Sequence, residues 1–165
     1  MVYTELSHES LKAGFIEEVK KYINIAKEFY RPKSHDLQIT LNTLNAEIES
    51  YERGTLIIPK EKKIEDQIAK KNLKDQILNY NNILTKLYIS MGKVYMSEKK
   101  YDRASTEFTV AQELYEGQSS FILPYLAEIQ FLLGNYSVVN SIINKSQDLG
   151  LNATLYPIVE QWKTS

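Results

Sequence analysis

The chain has 165 residues and a mass of 19.1 kDa, which suits one domain with a proper core. Its 43% apolar and 25% charged residues exclude wholesale disorder, and 20 basic against 21 acidic side chains lack the basic excess typical of nucleic-acid binders. The absence of cysteine excludes disulfides, thiolate nucleophiles and zinc–thiolate sites.

The apolar spacing predicts a first helix over residues 10–30. Leu11, Phe15, Val19, Tyr22, Ala26 and Phe29 form one stripe, widened by Ile16, Ile23 and Tyr30, so two neighbours should pack on it. Arg31-Pro32 ends the helix in this reading, since proline disfavours the helical conformation in the residue before it. Ser34 opens a second helix carrying Leu37, Leu41, Leu44, Ile48 and Tyr51, with Gly54 as its stop. The connector that follows holds Leu56, Ile57 and Ile58, too apolar for a free loop and expected to pack.

Residues 61–97 read either as one helix of roughly 50 Å, at ~1.5 Å per residue, or as two helices broken near Asn72, and the single helix is the favoured reading. Its stripe starts at Ile64 and Ile68, breaks around Asn72, and resumes through Leu73, Ile77, Tyr80, Leu84, Leu87, Met91 and Val94. Lys60, Lys62, Lys63, Lys70, Lys71 and Lys74 are interleaved with Glu61, Glu65, Asp66 and Asp75, the pattern of a solvated face with i,i+4 pairs.

Catalytic patterns are missing. The two histidines, His8 and His35, lie near helix starts and far apart in sequence, and no phosphate-binding glycine loop, HExxH or GxSxG occurs. Carboxylate pairs such as Glu17-Glu18 fall on polar faces. The chain is expected not to be an enzyme and to need no cofactor or metal. The longest apolar runs are three residues, against roughly 20 for a membrane span. Met1-Val2-Tyr3-Thr4-Glu5 has no signal-peptide character, so a cytoplasmic or nuclear location is expected.

The second half repeats itself. Tyr88, Met91, Gly92, Tyr95, Tyr101, Ala104, Phe108 and Ala111 recur 35 residues later as Leu123, Leu126, Ala127, Gln130, Tyr136, Val139, Ile143 and Ser146. Only Tyr95 to Gln130 changes character. Small residues at Gly92 and Ala127 let paired helices approach, and Phe108 and Ile143 fill the space below. The first copy resembles the tetratricopeptide (TPR) signature, and the second is weaker but in register. Several of the twelve tyrosines thereby become packing residues, among them Tyr22, Tyr51 and Tyr80 on helical stripes.

After Gly150, Leu155, Ile158, Val159 and Trp162 give a terminal helix one apolar face. The implied fold is all-α: a right-handed helical-repeat superhelix, a TPR-like α-solenoid of seven to eight helices. Its parts are an N-terminal helical pair with connector (1–60), a long helix (61–97), TPR one (85–118), TPR two (119–150) and a terminal helix (151–165).

Leu133-Gly134-Asn135-Tyr136-Ser137-Val138-Val139 followed by Ile143-Asn144-Lys145-Ser146 resembles a segment of signalosome subunit one. The order of the 44–51 helix, Asn72-Leu73-Lys74-Asp75-Gln76-Ile77 and Met91-Gly92-x2-Tyr95 is similar to that family as well, and the related proteasome-lid subunit shares the plan. That resemblance implies the N-terminal helical-repeat arm of a larger subunit, without the family's PCI domain. The arm is scaffold there, contacting other helical-repeat or PCI subunits, and no catalytic residue transfers.

The alternative is a stand-alone TPR adapter holding a partner peptide in its concave groove. In TPR geometry that groove is lined by Lys86, Ile89, Lys93 and Met96 with Phe121, Glu128 and Phe131. Leu155, Ile158 and Trp162 are candidates for self-association through the terminal helix. Neither nucleic acid nor membrane is an expected partner.

Overall fold

The computed structural model describes residues 16–115 and 121–148. Five α-helices fill them: α1 (Ile16–Glu52), α2 (Lys60–Ser97), α3 (Tyr101–Leu114), α4 (Leu123–Leu132) and α5 (Tyr136–Asp148). There is no strand among the described residues, and the fold is all-helical. The expected terminal helix over 151–165 lies outside them.

α1 corrects the expected break at Arg31-Pro32, for it runs through Pro32 without interruption for 37 residues. An interior proline costs about 3 kcal/mol in lost hydrogen bonding and ring crowding. Here the residues on both sides of it are held by one partner. Val19, Ile23 and Ala26 before it, and Leu41, Ile48 and Tyr51 after it, are buried against the antiparallel α2. Breaking α1 would forfeit one of the two contacts. Pro32 itself is exposed, so water can reach the Glu28 carbonyl that loses its donor. The two expected helices are therefore one, which lowers the helix count.

α2 spans 38 residues, through the region of Asn72. Cross-contacts fix its antiparallel register with α1: Tyr30 meets Tyr80 at 5.9 Å between ring centroids, Ser34 Oγ donates to Asn81 Oδ1 at 2.7 Å, and Lys63 Nζ lies 5.5 Å from the Tyr51 ring. The shared hairpin is roughly 55 Å long at ~1.5 Å per residue. Its outer part holds only a thin core of Leu41, Ile48, Tyr51 and Ile77. The two main hydrophobic clusters draw on α1 as far as Tyr30 and on α2 from Ile83 onward, so residues 33–80 stand away from the body as a two-helix arm. Its tip is open, contrary to the expectation for the connector: Ile57 is 95% exposed and Leu56 46%. At the far end of a hairpin no other described element is within reach. Ile64 and Ile68 likewise face outward rather than onto α1.

The body consists of two hairpins, the C-terminal half of α2 with α3, and α4 with α5. They repeat each other in burial. Met91 and Leu126, Gly92 and Ala127, Ala104 and Val139, Phe108 and Ile143, and Ala111 and Ser146 are buried at matching places. The turns repeat atom for atom. Lys99 N–H donates to Met96 O at 2.9 Å and Lys100 N–H to Tyr95 O at 2.9 Å; 35 residues on, Gly134 N–H donates to Phe131 O at 3.0 Å and Asn135 N–H to Gln130 O at 2.8 Å. Both are Schellman closures, and both place one residue in the left-handed region, Lys99 at φ 59° and Gly134 at φ 77°. The Tyr95 to Gln130 change is absorbed because the turn uses the backbone carbonyl there.

Close approach within the first hairpin depends on Gly92. A Cβ at that position would lie 2.7 Å from Phe108 Cε1, and the ring cannot retreat: it is fully buried and stacked on Tyr125 at 5.2 Å and 11°. The second hairpin balances the same space with a methyl group at Ala127 and the smaller Ile143. Gly92→Ala should lower stability by about 1–2 kcal/mol, overpacking of ~1–3 kcal/mol exceeding the helix-propensity gain of ~1 kcal/mol. In a Phe108→Leu background its cost should fall, a coupling that denaturant melts of the four variants would measure. Lys99→Gly should stabilise by about 0.5–1 kcal/mol, since only glycine enters the left-handed region without penalty; a rise in denaturation midpoint is the readout.

Candidate partner-binding surface

The residues expected to line a groove lie on α2, on α4 and, for Phe121, just before α4, and the structure engages most of them internally. Ile89 is buried in the larger core and Met96 packs against it. Lys93 is half-buried with Nζ 4.7 Å above the Tyr125 ring, so Tyr125 lies between that ammonium and Phe108. Phe131 packs against the core and meets Tyr136 edge to face at 5.7 Å, as Phe121 meets Tyr115 at 4.6 Å. Only Lys86 and Phe121 are exposed. Leu155, Ile158 and Trp162 lie outside the described residues.

Glu128 stands where Lys93 stands in the first hairpin. It is half-buried, and burial alone raises its carboxyl above the usual range, with no neighbouring cation to counter it. Among the described residues no group of three or more His, Cys, Asp or Glu could hold a metal ion, and no helix is long and apolar enough to cross a membrane.

Sequence reasoning missed a row of cations on α1 that clasps the first hairpin. Lys20 Nζ bonds Glu98 Oε1 at 2.5 Å and Glu17 Oε1 at 2.9 Å. Lys27 bonds Glu107 of α3 and places its Nζ 4.0 Å from the Tyr88 ring. Arg31 donates to the Tyr88 hydroxyl. These residues sit at spacings of seven and four, a helical stripe beside the apolar one, but only their partners reveal that the stripe faces protein. Burial drives the Lys27 ammonium pKa down, and its bond to Glu107 only partly compensates. For Lys20 burial acts in the same sense, yet the bonds to Glu98 and Glu17 outweigh it and the net shift is upward. The bond from Lys20, helped by Lys100, holds Glu98 below the ordinary carboxylate value against its burial.

Two apolar surfaces also escaped sequence reasoning. Tyr22, Ile25 and Phe29 on α1 are 54%, 50% and 54% exposed, and Ile57, Ile64 and Ile68 on the arm are 95%, 63% and 56% exposed. Tyr22 and Phe29 were expected on the buried stripe. Their place on α1 is turned away from α2, and periodicity does not say which flank of a wide stripe finds a neighbour. Comparison with known proteins finds no matching family, no matching curated protein and no matching solved structure.

The Lys20–Glu98 bond sets a pH window. Glu98's folded pKa is depressed, so its contribution is complete above about 4.3, the unfolded value, and is lost as pH falls through the folded value. Lys20's folded pKa is raised, so its contribution is complete below about 10.4 and disappears as pH rises through the folded value. Glu98→Gln should flatten the acid limb of stability against pH, measured by denaturant titration from pH 3 to pH 7. For the buried pair, Lys27→Met alone should cost about 1–3 kcal/mol because it strands Glu107, and Lys27→Met with Glu107→Met should recover most of that loss; thermal melts of both variants are the check.

Proposed function

We propose that this chain is a non-catalytic protein-interaction scaffold, the helical-repeat arm of a subunit of a signalosome- or proteasome-lid-like complex in the cytoplasm or nucleus. The observation that carries the reading is the 35-residue recurrence of burial and turn geometry in the two hairpins. Hairpins that bury the same positions and close with the same turn stack by a constant step, and a right-handed TPR-like superhelix is the arrangement such a step generates. The exposed isoleucines of the arm and the apolar flank of α1 are the kind of surface that protein contacts cover.

This reading is favoured over a peptide-holding adapter by the state of the groove residues. With Ile89 in the core, Lys93 on Tyr125 and Phe131 against Tyr136, few side chains are left to grip a peptide. Self-association through Leu155, Ile158 and Trp162 belongs to the same proposal, as one contact by which such arms join. No part of the reading calls for nucleic acid, membrane, metal or cofactor.

Tagged full-length chain from its native cells should elute as part of a large assembly whose other members are helical-repeat or PCI subunits. Lys93→Glu and Phe131→Ala should leave that co-elution intact. Elution as a free chain, together with peptide binding that Lys93→Glu abolishes, would replace the scaffold reading with the adapter.

A further inference from the structure

α1 and α3 both pack on α2, and α3 and α5 both pack on α4, so the fold has two grooves of the same kind, one floored by α2 and one by α4. They correspond residue for residue. Val19, Ile23 and Ala26 are buried in α1 at the spacing of Ala104, Phe108 and Ala111 in α3, which recurs as Val139, Ile143 and Ser146 in α5. On that register Lys20 and Lys27 match Ser105 and Gln112, while Tyr88 and Tyr95 match Leu123 and Gln130. Contacts follow the register. Lys20 Nζ lies 5.7 Å from the Tyr95 ring, and in the matching places Gln130 Nε2 donates to Ser105 Oγ at 3.0 Å.

The first groove is filled by its own side chains. Lys27 crosses it to Glu107 and lies 4.0 Å from the Tyr88 ring. Arg103 approaches the Tyr95 ring from α3 at 5.8 Å. In the second groove each of these has a shorter or less polar counterpart: Gln112 for Lys27, Leu123 for Tyr88, Ile142 for Glu107 and Val138 for Arg103. What remains is a cavity of about 280 Å³ lined by all four. Val138 on its wall is 43% exposed. Gln130 is tied down, its Oε1 accepting from Asn135 Nδ2 at 2.7 Å. No acidic side chain lines the cavity, and its one charged group is Lys145, which makes no ion pair among the described residues.

We propose that the groove between α3 and α5 takes an aromatic side chain from a protein partner, a phenylalanine or tyrosine flanked by an aspartate or glutamate. The ring lies over Leu123, in the space that the Tyr88 ring occupies in the first groove, and Leu126, Val138 and Ile142 close around it. The carboxylate pairs with Lys145. The first groove balances its buried cation with Glu107; here Ile142 stands in that place, and the acid has to come from outside. An aromatic anchor seated in a pocket is also where interfaces concentrate their binding energy. The site shares no residue with the candidate groove of Lys86, Lys93 and Phe131, and it does not depend on which assembly the chain joins.

Methyl NMR on the full-length chain, titrated with acetyl-Asp-Phe-amide, tests this. Saturable shifts should centre on the methyl groups of Leu123, Leu126, Val138 and Ile142. Binding should weaken by about tenfold with acetyl-Asp-Ala-amide, which lacks the ring, and by about two- to fivefold with acetyl-Asn-Phe-amide, which lacks the charge. Lys145→Gln, a change at an exposed position, should impose the same two- to fivefold loss on acetyl-Asp-Phe-amide and none on acetyl-Asn-Phe-amide. Gln112→Lys with Leu123→Tyr and Ile142→Glu gives the second groove the contents of the first and should abolish the shifts while the thermal melt stays cooperative. Should that triple variant unfold, the Lys145→Gln comparison decides. Absent shifts, shifts centred elsewhere, or equal affinity for the Asp and Asn peptides would overturn the proposal. So would a dimer in light scattering that Val138→Glu dissociates, since the groove would then belong to a second copy.

Discussion

Between Leu84 and Val94, α2 is buried on nearly every side, and a helix buried all round has to be enclosed by other elements. That single stretch organises the molecule. Leu87, Met91 and Val94 meet the first half of α1, while Leu84, Tyr88 and Ile89 join the core shared by α3, α4 and α5. Gly92 sits between the two sets and admits the Phe108 ring. Since α2 continues without interruption beyond this stretch, its enclosure also fixes where the arm points.

Polar contacts refine that enclosure without creating it. Tyr88 gathers Lys27 on its ring face and Arg31 at its hydroxyl, and Lys20 and Lys27 tie α1 to Glu98 and Glu107. Burying these cations has a desolvation cost that the ion pairs roughly offset. Their greater effect is on register: a slide of one turn along α2 would leave Lys27 and Glu107 both buried and unpaired. The apolar cluster holds α1 in place, and the charges decide at which height.

Body and arm differ in how firmly they are built. The body has two contiguous clusters and turns closed by the same hydrogen bonds. The arm has a few buried side chains and an open apolar tip. A thin two-helix core opens locally at lower free energy than a shared one, so the arm is the part that should open first. A firm body with a more easily opened extension follows from this distribution of burial. The candidate groove was legible in sequence only as a helical stripe. Lys93 and Phe131 do fall on it, but whether they face a ligand or pack within the protein depends on Tyr125 for the one and Tyr136 for the other, each on a different helix from its partner.

By itself the sequence determined the periodicities, and with them the helices, the 35-residue recurrence and the turns at Gly54 and Gly134. These rest on local chemistry: apolar spacing along a helix, and the left-handed conformation that glycine adopts freely. Tertiary structure alone decided three things. It carried α1 through Pro32, because packing on both sides outweighs a local penalty of about 3 kcal/mol. It selected which flank of α1 is covered, leaving Tyr22 and Phe29 outside while Val19 and Ile23 went in. And it turned Lys27 from a surface lysine into a buried one, since Glu107 lies 80 residues away in sequence and only the fold brings the two together. Periodicity states the angle at which a side chain leaves its helix; what stands at that angle is decided by the other helices.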